Sequence, residues 1–208
     1  MLAKEIWNKL HKDSDPLIVS ECWEEIESGY AKPQRFYHNI THITALLNQL
    51  EIYRSEIEDP ILVQYAIFYH DIVYVSGRKD NEVLSAQLSE KALIKLSKED
   101  ALIQKVKEFI LATANHFSVK SSNKDLLFFL DFDLSILSAD LPEYKTYSEN
   151  IRKEFNLVPS TLFNMGRLQF LNSLLSQQHI FFTPAFRKLE SKAKANIEWE
   201  KGLLAHLG

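Results

Sequence analysis

The chain has 208 residues, with 24 lysines and arginines against 28 aspartates and glutamates, seven histidines and a single cysteine. That is the length of one domain, or of one plus a small subdomain, and a hydrophobic content of 46% excludes intrinsic disorder. A net charge of −4 argues against bulk nucleic-acid binding, and Cys22 alone can form neither an intrachain disulfide nor a cysteine metal cluster.

Five glycines and six prolines are too few for the many turns of a β-sandwich, so long helices are expected. The first fifteen residues are amphipathic and charged. They lack the apolar core of roughly 7–15 residues that a signal peptide requires. Asp15-Pro16 marks a turn, and Leu17 to Gly29 reads as a helix stopped by the stretch Gly29 to Pro33. From Phe36 to Ile52, apolar residues at Ile40, Ile43, Leu46, Leu47 and Leu50 follow helical spacing. Pro60 opens the next helix, which runs through Leu62, Tyr65, Ala66, Phe68 and Tyr69 into His70-Asp71. The stretch Ile61 to Val75 is the most apolar of the chain, yet shorter than the roughly 20 residues that span a bilayer. After a polar loop, Asn81 reads as the N-cap of a helix from Glu82 to about Leu96. Another helix is expected from Ala101 to about His116, then a loop from Ser118 to Asn123. Leu126 to Leu137 is strongly apolar, interrupted by Asp131, Asp133 and Ser135. Pro142 opens a helix to about Phe155, and Ser160 to Ser176 forms the next. Ile180 to Phe182 has weak extended character, and a last helix ends near Leu204. The expectation is an all-α chain, at least two-thirds helical, cytoplasmic and without a membrane span.

Chemistry-bearing residues gather in four places. His38 and His42 are four apart, so on one helix they would share a face and could present two imidazoles to one metal; two solvated or core histidines are the plainer account. His70-Asp71 ends an apolar helix, where an unpaired buried carboxylate would cost several kcal/mol and therefore calls for a cation. An Asp at a helix end exposed to water would need none. Asp131 and Asp133 interrupt a run of Leu, Phe and Ile, where at least one should meet a cation unless it caps a helix. His116 is expected at a helix C-terminus, which favours a histidine through the dipole whatever its function.

The order His, His-Asp, Asp over about 95 residues of helical sequence resembles the HD-domain superfamily of metal-dependent phosphohydrolases. Arg35 with Tyr37-His38-Asn39-Ile40-Thr41-His42-Ile43 resembles the opening of a bacterial branch described as predicted metal-dependent HD phosphohydrolases. Phe68-Tyr69-His70-Asp71-Ile72-Val73-Tyr74, with Asn81-Glu82 and Ser85-Ala86, is similar to its second block. Ile110 to His116, Leu130 to Leu137, Arg152, Gly166-Arg167, Phe170-Leu171 and Ala195-Asn196-Ile197-Glu198 continue the likeness over most of the chain.

The resemblance implies an HD-like helical bundle forming one domain over residues 1–208. Its metal-site core would span about residues 30–140, with the helices of about residues 141–208 packing on it. It implies a divalent ion (Mn, Fe, Co, Ni, Zn or Mg) held by His38, His70, Asp71 and Asp133, with Asp131 as the alternative to Asp133. His42 would then sit one turn deeper, meeting substrate or a second ion. Glu82 would be a general base or position the water, and its plainer account is a first-turn Glu favouring a helix start. Arg35, Arg78, Arg152 and Arg167 would clamp phosphate, since arginine binds it bidentately, and His116 joins them as a substrate-binding candidate. The expected activity is hydrolysis of a small phosphorylated molecule, a nucleotide first of all. The alternatives are a non-catalytic HD module that senses metal and nucleotide, and a purely structural helical scaffold.

Overall fold

The computed structural model describes residues 2–206. It contains eleven α-helices and, among the described residues, no strand. At 73% helix, the all-α expectation holds. The helices are α1 (Ala3–Leu10), α2 (Pro16–Tyr30), α3 (Ile40–Ile52), α4 (Pro60–Tyr69), α5 (Asn81–Lys95), α6 (Asp100–Ala112), α7 (Lys124–Leu134), α8 (Leu141–Glu154), α9 (Ser160–Leu175), α10 (Pro184–Arg187) and α11 (Glu190–His206). Short 3-10 turns extend α6 and α7 at Thr113–Ser118 and Ser135–Ser138. Among the described residues, no helix is long and apolar enough to cross a membrane. The chain forms two compact bodies, one up to Phe132 and one from Asp133 on.

In the first body, α4 is apolar on every side and packs against α3, α5 and α6. Its residues Leu62, Val63, Ile67, Phe68 and Tyr69 are buried, and a fully buried side chain of this size contributes roughly 1.5–3 kcal/mol. Both ends of α4 are fixed. At the start, Asp59 caps the backbone N–H of Leu62 at 3.0 Å, and the Asp125 carboxylate accepts from the N–H groups of Glu58 and Asp59 at 2.8 and 2.7 Å. At the end, the Tyr30 hydroxyl donates to the Phe68 carbonyl at 3.1 Å.

The N-terminal helices close over this core. The Trp7 indole donates to the Val19 carbonyl at 3.1 Å. His11 bridges the Trp7 carbonyl and the Tyr65 hydroxyl, each at 2.9 Å. A carbonyl only accepts, so Nδ1 of His11 carries the hydrogen and Nε2 accepts from Tyr65. Burial lowers the His11 pKa and keeps the ring neutral in this role.

In the second body, Arg167 of α9 makes a two-pronged bond to Glu200 of α11 at 2.8 and 3.0 Å. The Tyr144 hydroxyl of α8 donates to the same carboxylate at 2.6 Å. All three are buried, so one ionic knot ties α8, α9 and α11 together. Asn196 adds a second tie, donating to the carbonyls of Leu137 and Ala139, each at 2.9 Å.

Several helix ends differ from the sequence expectation. Gly29 does not stop α2, which continues to Tyr30. The reason lies in packing: a Cβ at Gly29 would stand 2.8 Å from Cγ1 of Ile72 and 3.1 Å from its carbonyl oxygen. Glycine lets the turn after His70 approach the helix. Asn81 is inside α5, with Asp80 at the cap position. The Asn81 amide instead grips the backbone of Val75 from both sides, accepting from its N–H at 3.0 Å and donating to its carbonyl at 3.1 Å. Helix α6 ends at Ala112, four residues before His116, and Asn115 has non-helical backbone angles.

Candidate metal centre

The site grows from the two ends of buried helices. His70 is the C-cap of α4 and its side chain is buried. Its Nδ1 lies 3.0 Å from the Ile67 carbonyl, which can only accept. The hydrogen is therefore on Nδ1, and in the neutral ring Nε2 presents a lone pair, the arrangement that metal-bound histidines adopt.

His42 lies in the first turn of α3. That helix begins at Ile40, because Asn39 caps it by accepting from the Thr41 N–H at 2.8 Å. The buried His42 ring puts its Nε2 3.3 Å from Nε2 of His70. Asp71 follows in the turn after α4. Its Oδ2 is 3.2 Å from Nε2 of His70 and 3.9 Å from Nε2 of His42. Two ligand atoms at about 2.1 Å from one ion, and about 100° apart, stand roughly 3.2 Å from each other. The two edges that meet at His70 thus have the length expected in a coordination shell, and the His42–Asp71 edge is longer.

Asp133, half-buried near the end of α7, supplies a further carboxylate. Ligand atoms of His42, His70 and Asp133 all lie within 4.8 Å of one another, so this group could hold a metal ion. Imidazole and carboxylate together suit divalent transition metals, with no single ion selected by the donor types alone. Asp131 is fully buried two positions earlier on α7, which turns it about 200° away from Asp133 around the helix axis.

His38 is placed differently from the sequence expectation. It precedes α3, so it does not share a helical face with His42. Its ring stacks on Tyr74, with centroids 4.0 Å apart and planes at 25°. The His42 ring centroid is 5.9 Å away. Among the described residues, the three-residue group contains His42, which the sequence reading puts outside the inner shell, rather than His38.

Arg35 is a brace. Its guanidinium donates to the carbonyls of Asp71 at 2.6 Å, Ile72 at 2.8 Å and His38 at 3.2 Å, and it is buried. It ties the segment before α3 to the turn that carries Asp71. Behind that turn, the Ser85 hydroxyl meets both the N–H and the carbonyl of Val73, at 3.1 and 3.3 Å, beside the Asn81 grip on Val75.

The remaining candidates are spread out. Glu82 is half-buried in the first turn of α5. Arg78 is exposed and paired with Asp80. His116 is half-buried in the last turn of the 3-10 segment that follows α6, four residues beyond the end of that helix. Arg152 and Arg167 belong to the second body. Arg152 donates to the carbonyls of Phe155 and Val158 and to the Ser160 hydroxyl, and Arg167 to Glu200. Arg167 is taken up in a buried ion pair, while the half-buried Arg152 also lines a cavity of the second body.

Sequence reasoning did not give Gly29, Asn81 and Ser85 their bracing roles. The one signal available was small and amide residues at four-residue spacing after a His-Asp pair, Asn81 and Ser85. No family model, curated protein or solved structure matches the chain.

Proposed function

We propose that this protein is a metal-dependent phosphohydrolase of the HD type, acting on a small phosphorylated substrate of nucleotide class. The observation that carries the reading is the meeting of His42, His70 and Asp71 within 3.9 Å of one another, with Asp133 close to both histidines. The order of motifs in the sequence supports the HD assignment.

His42, His70, Asp71 and Asp133 would hold the ion. A divalent ion there supplies two things, a lower pKa for a bound water and polarisation of a phosphoryl oxygen. The chain's own groups do the rest. The Ile67 carbonyl fixes the His70 tautomer and ring direction. Arg35 holds the Asp71 turn through three carbonyls, so the carboxylate is set before any ligand arrives. Glu82 is the carboxylate assigned to take the proton from the attacking water. The stacked His38–Tyr74 pair offers a polar and an aromatic edge to the substrate.

The test combines metal content with turnover. Purified protein should carry close to one equivalent of a divalent transition metal, and His70→Ala and Asp71→Ala should lose it. With added Mn²⁺, the wild type should release phosphate from at least one member of a nucleotide and phosphomonoester panel. Metal and nucleotide binding without turnover would favour the sensor module. Undiminished metal in both variants would remove the site itself.

A further inference from the structure

The second body holds a cavity of about 660 Å³ among α8, α9 and α11. That is the size at which proteins enclose small organic ligands, roughly 300–1,000 Å³. Its walls divide by chemistry. Lys145, Arg152 and Lys153 come from α8, while Phe163, Trp199 and Leu203 supply apolar surface from α9 and α11. The cations stand over the rings: Lys145 Nζ is 5.0 Å from the Trp199 centroid, and the Arg152 guanidinium is 4.8 Å from that of Phe163.

Cations outnumber carboxylates along the cavity wall. Glu200 lines it too, but that carboxylate is committed to Arg167 and Tyr144. Three cations therefore face a single further carboxylate, Glu149, in a chain whose net charge is −4. The positive character is local, so general attraction of anions to a basic protein does not account for it. Arg152 is also held in place, at 2.6 Å from the Phe155 carbonyl and 3.1 Å from the Ser160 hydroxyl, so its charge is positioned in advance.

We infer that this cavity is a binding site for a small organic anion with an apolar body, its charged group at Lys145, Arg152 and Lys153 and its body on Phe163, Trp199 and Leu203. Each half of the ligand meets one half of the wall. Neither inorganic phosphate nor a neutral hydrocarbon would use both. The site is separate from the metal centre and stands whether or not that centre is catalytic.

Calorimetric titration of the full chain tests it. The probes are decanoate below its micelle concentration, 2-naphthoate, and inorganic phosphate as the charge-only comparison. Saturable one-to-one binding is expected for at least one of the two organic anions. The tighter of them tells whether the body is an acyl chain or a flat ring. The charge-reversed pair Lys145→Glu/Lys153→Glu and the apolar-wall variant Leu203→Glu should each weaken that binding about tenfold or more. All three positions are exposed, so the fold should survive the changes. Lys91→Glu, an exposed change in the first body, should leave it as in the wild type. Absence of saturable binding by both organic anions would overturn the site. So would binding that the α8 and α11 variants leave intact, or phosphate binding as tightly as either organic anion.

Discussion

The Arg35 guanidinium holds the carbonyl oxygen of Asp71 at 2.6 Å, although 36 residues separate them. The bond fixes the backbone of a proposed ligand from outside the ligand shell. The planar fork reaches the Asp71, Ile72 and His38 carbonyls together, which a lysine ammonium cannot reproduce. Arg35→Lys should therefore lower stability by about 2 kcal/mol, the scale of a lost buried charged hydrogen bond. It should also reduce metal retention, since the Asp71 turn loses its anchor. Thermal melting and metal analysis of one preparation check this. Unchanged stability and metal content with lost turnover would return Arg35 to substrate binding.

His42 and His38 should separate in a metal-binding assay. The Nε2 of His42 is 3.3 Å from that of His70, whereas the His38 ring is stacked on Tyr74. His42→Ala should lose metal as His70→Ala does, weakening affinity by at least about a hundredfold, beyond the 10–100-fold typical of residues behind the ligands. His38→Ala should stay within about tenfold of wild type. Competition against a chromophoric chelator measures both, and the opposite ranking would restore the sequence assignment with His38 in the inner shell.

The sequence showed most of the helices because their signals are local. Pro60 after Asp59, and the apolar run from Leu62 to Tyr69, define α4 without reference to anything distant. The His-Asp pair at its end was legible for the same reason. The split between His38 and His42 was not, because it depends on Asn39 capping α3, and the apolar spacing that begins at Ile40 extends equally well back to Phe36. Arg35 is ambiguous in sequence because a buried arginine bonded to three carbonyls and an arginine awaiting phosphate have the same sequence. What distinguishes them is a partner 36 residues away. Gly29 looked like a helix breaker, yet the missing Cβ is needed by Ile72, a contact that no local pattern reports.

Gly29→Ala sets two effects against each other. Alanine favours a helix over glycine by about 1 kcal/mol. The new Cβ would stand 2.8 Å from Cγ1 of the buried Ile72 and 3.1 Å from its carbonyl oxygen, and overpacking of this kind costs about 1–3 kcal/mol. Backbone on one side leaves little room to yield, so the clash should win, with a net loss of about 1 kcal/mol and weaker metal binding through the adjacent Asp71. Chemical denaturation decides. A stabilised variant would mean that the Ile72 turn moves freely.

Glu200 should make stability depend on pH. Burial raises its pKa, but the bonds and charge of Arg167 and the bond from Tyr144 outweigh that, and the carboxyl ends below its ordinary value. A carboxyl lowered on folding contributes its stability above the unfolded pKa, about 4.3, and loses it as pH falls through the folded value. Glu200→Gln leaves Arg167 charged and buried, so at pH 7 it should be less stable than wild type by about 3–5 kcal/mol. Below about pH 4.3 the gap should narrow as the wild-type carboxylate protonates. Melting temperatures of both proteins from pH 3 to 7 provide the check. A gap that stays constant over that range would show that the knot does not act through its charge.

Asp131 and Asp133 should fail in different ways when each is made an amide. Asp133 has a carboxylate oxygen within 4.8 Å of ligand atoms on both His42 and His70. Asp131 is fully buried and, two residues earlier on the same helix, points about 200° away. Asn is nearly isosteric with Asp but a far poorer ligand for a divalent ion. Asp133→Asn should weaken metal binding by about tenfold or more and leave the stability of the metal-free protein close to wild type. Asp131→Asn should keep the metal and lose about 1–3 kcal/mol, since an amide cannot satisfy every donor that a buried carboxylate accepts. Denaturation of metal-free samples, beside metal titration of the same two variants, separates the roles. The reverse pattern would make Asp131 the ligand. Full metal affinity in both would confine the ligands to His42, His70 and Asp71, whose mutual distances of 3.2–3.9 Å do not involve α7 at all.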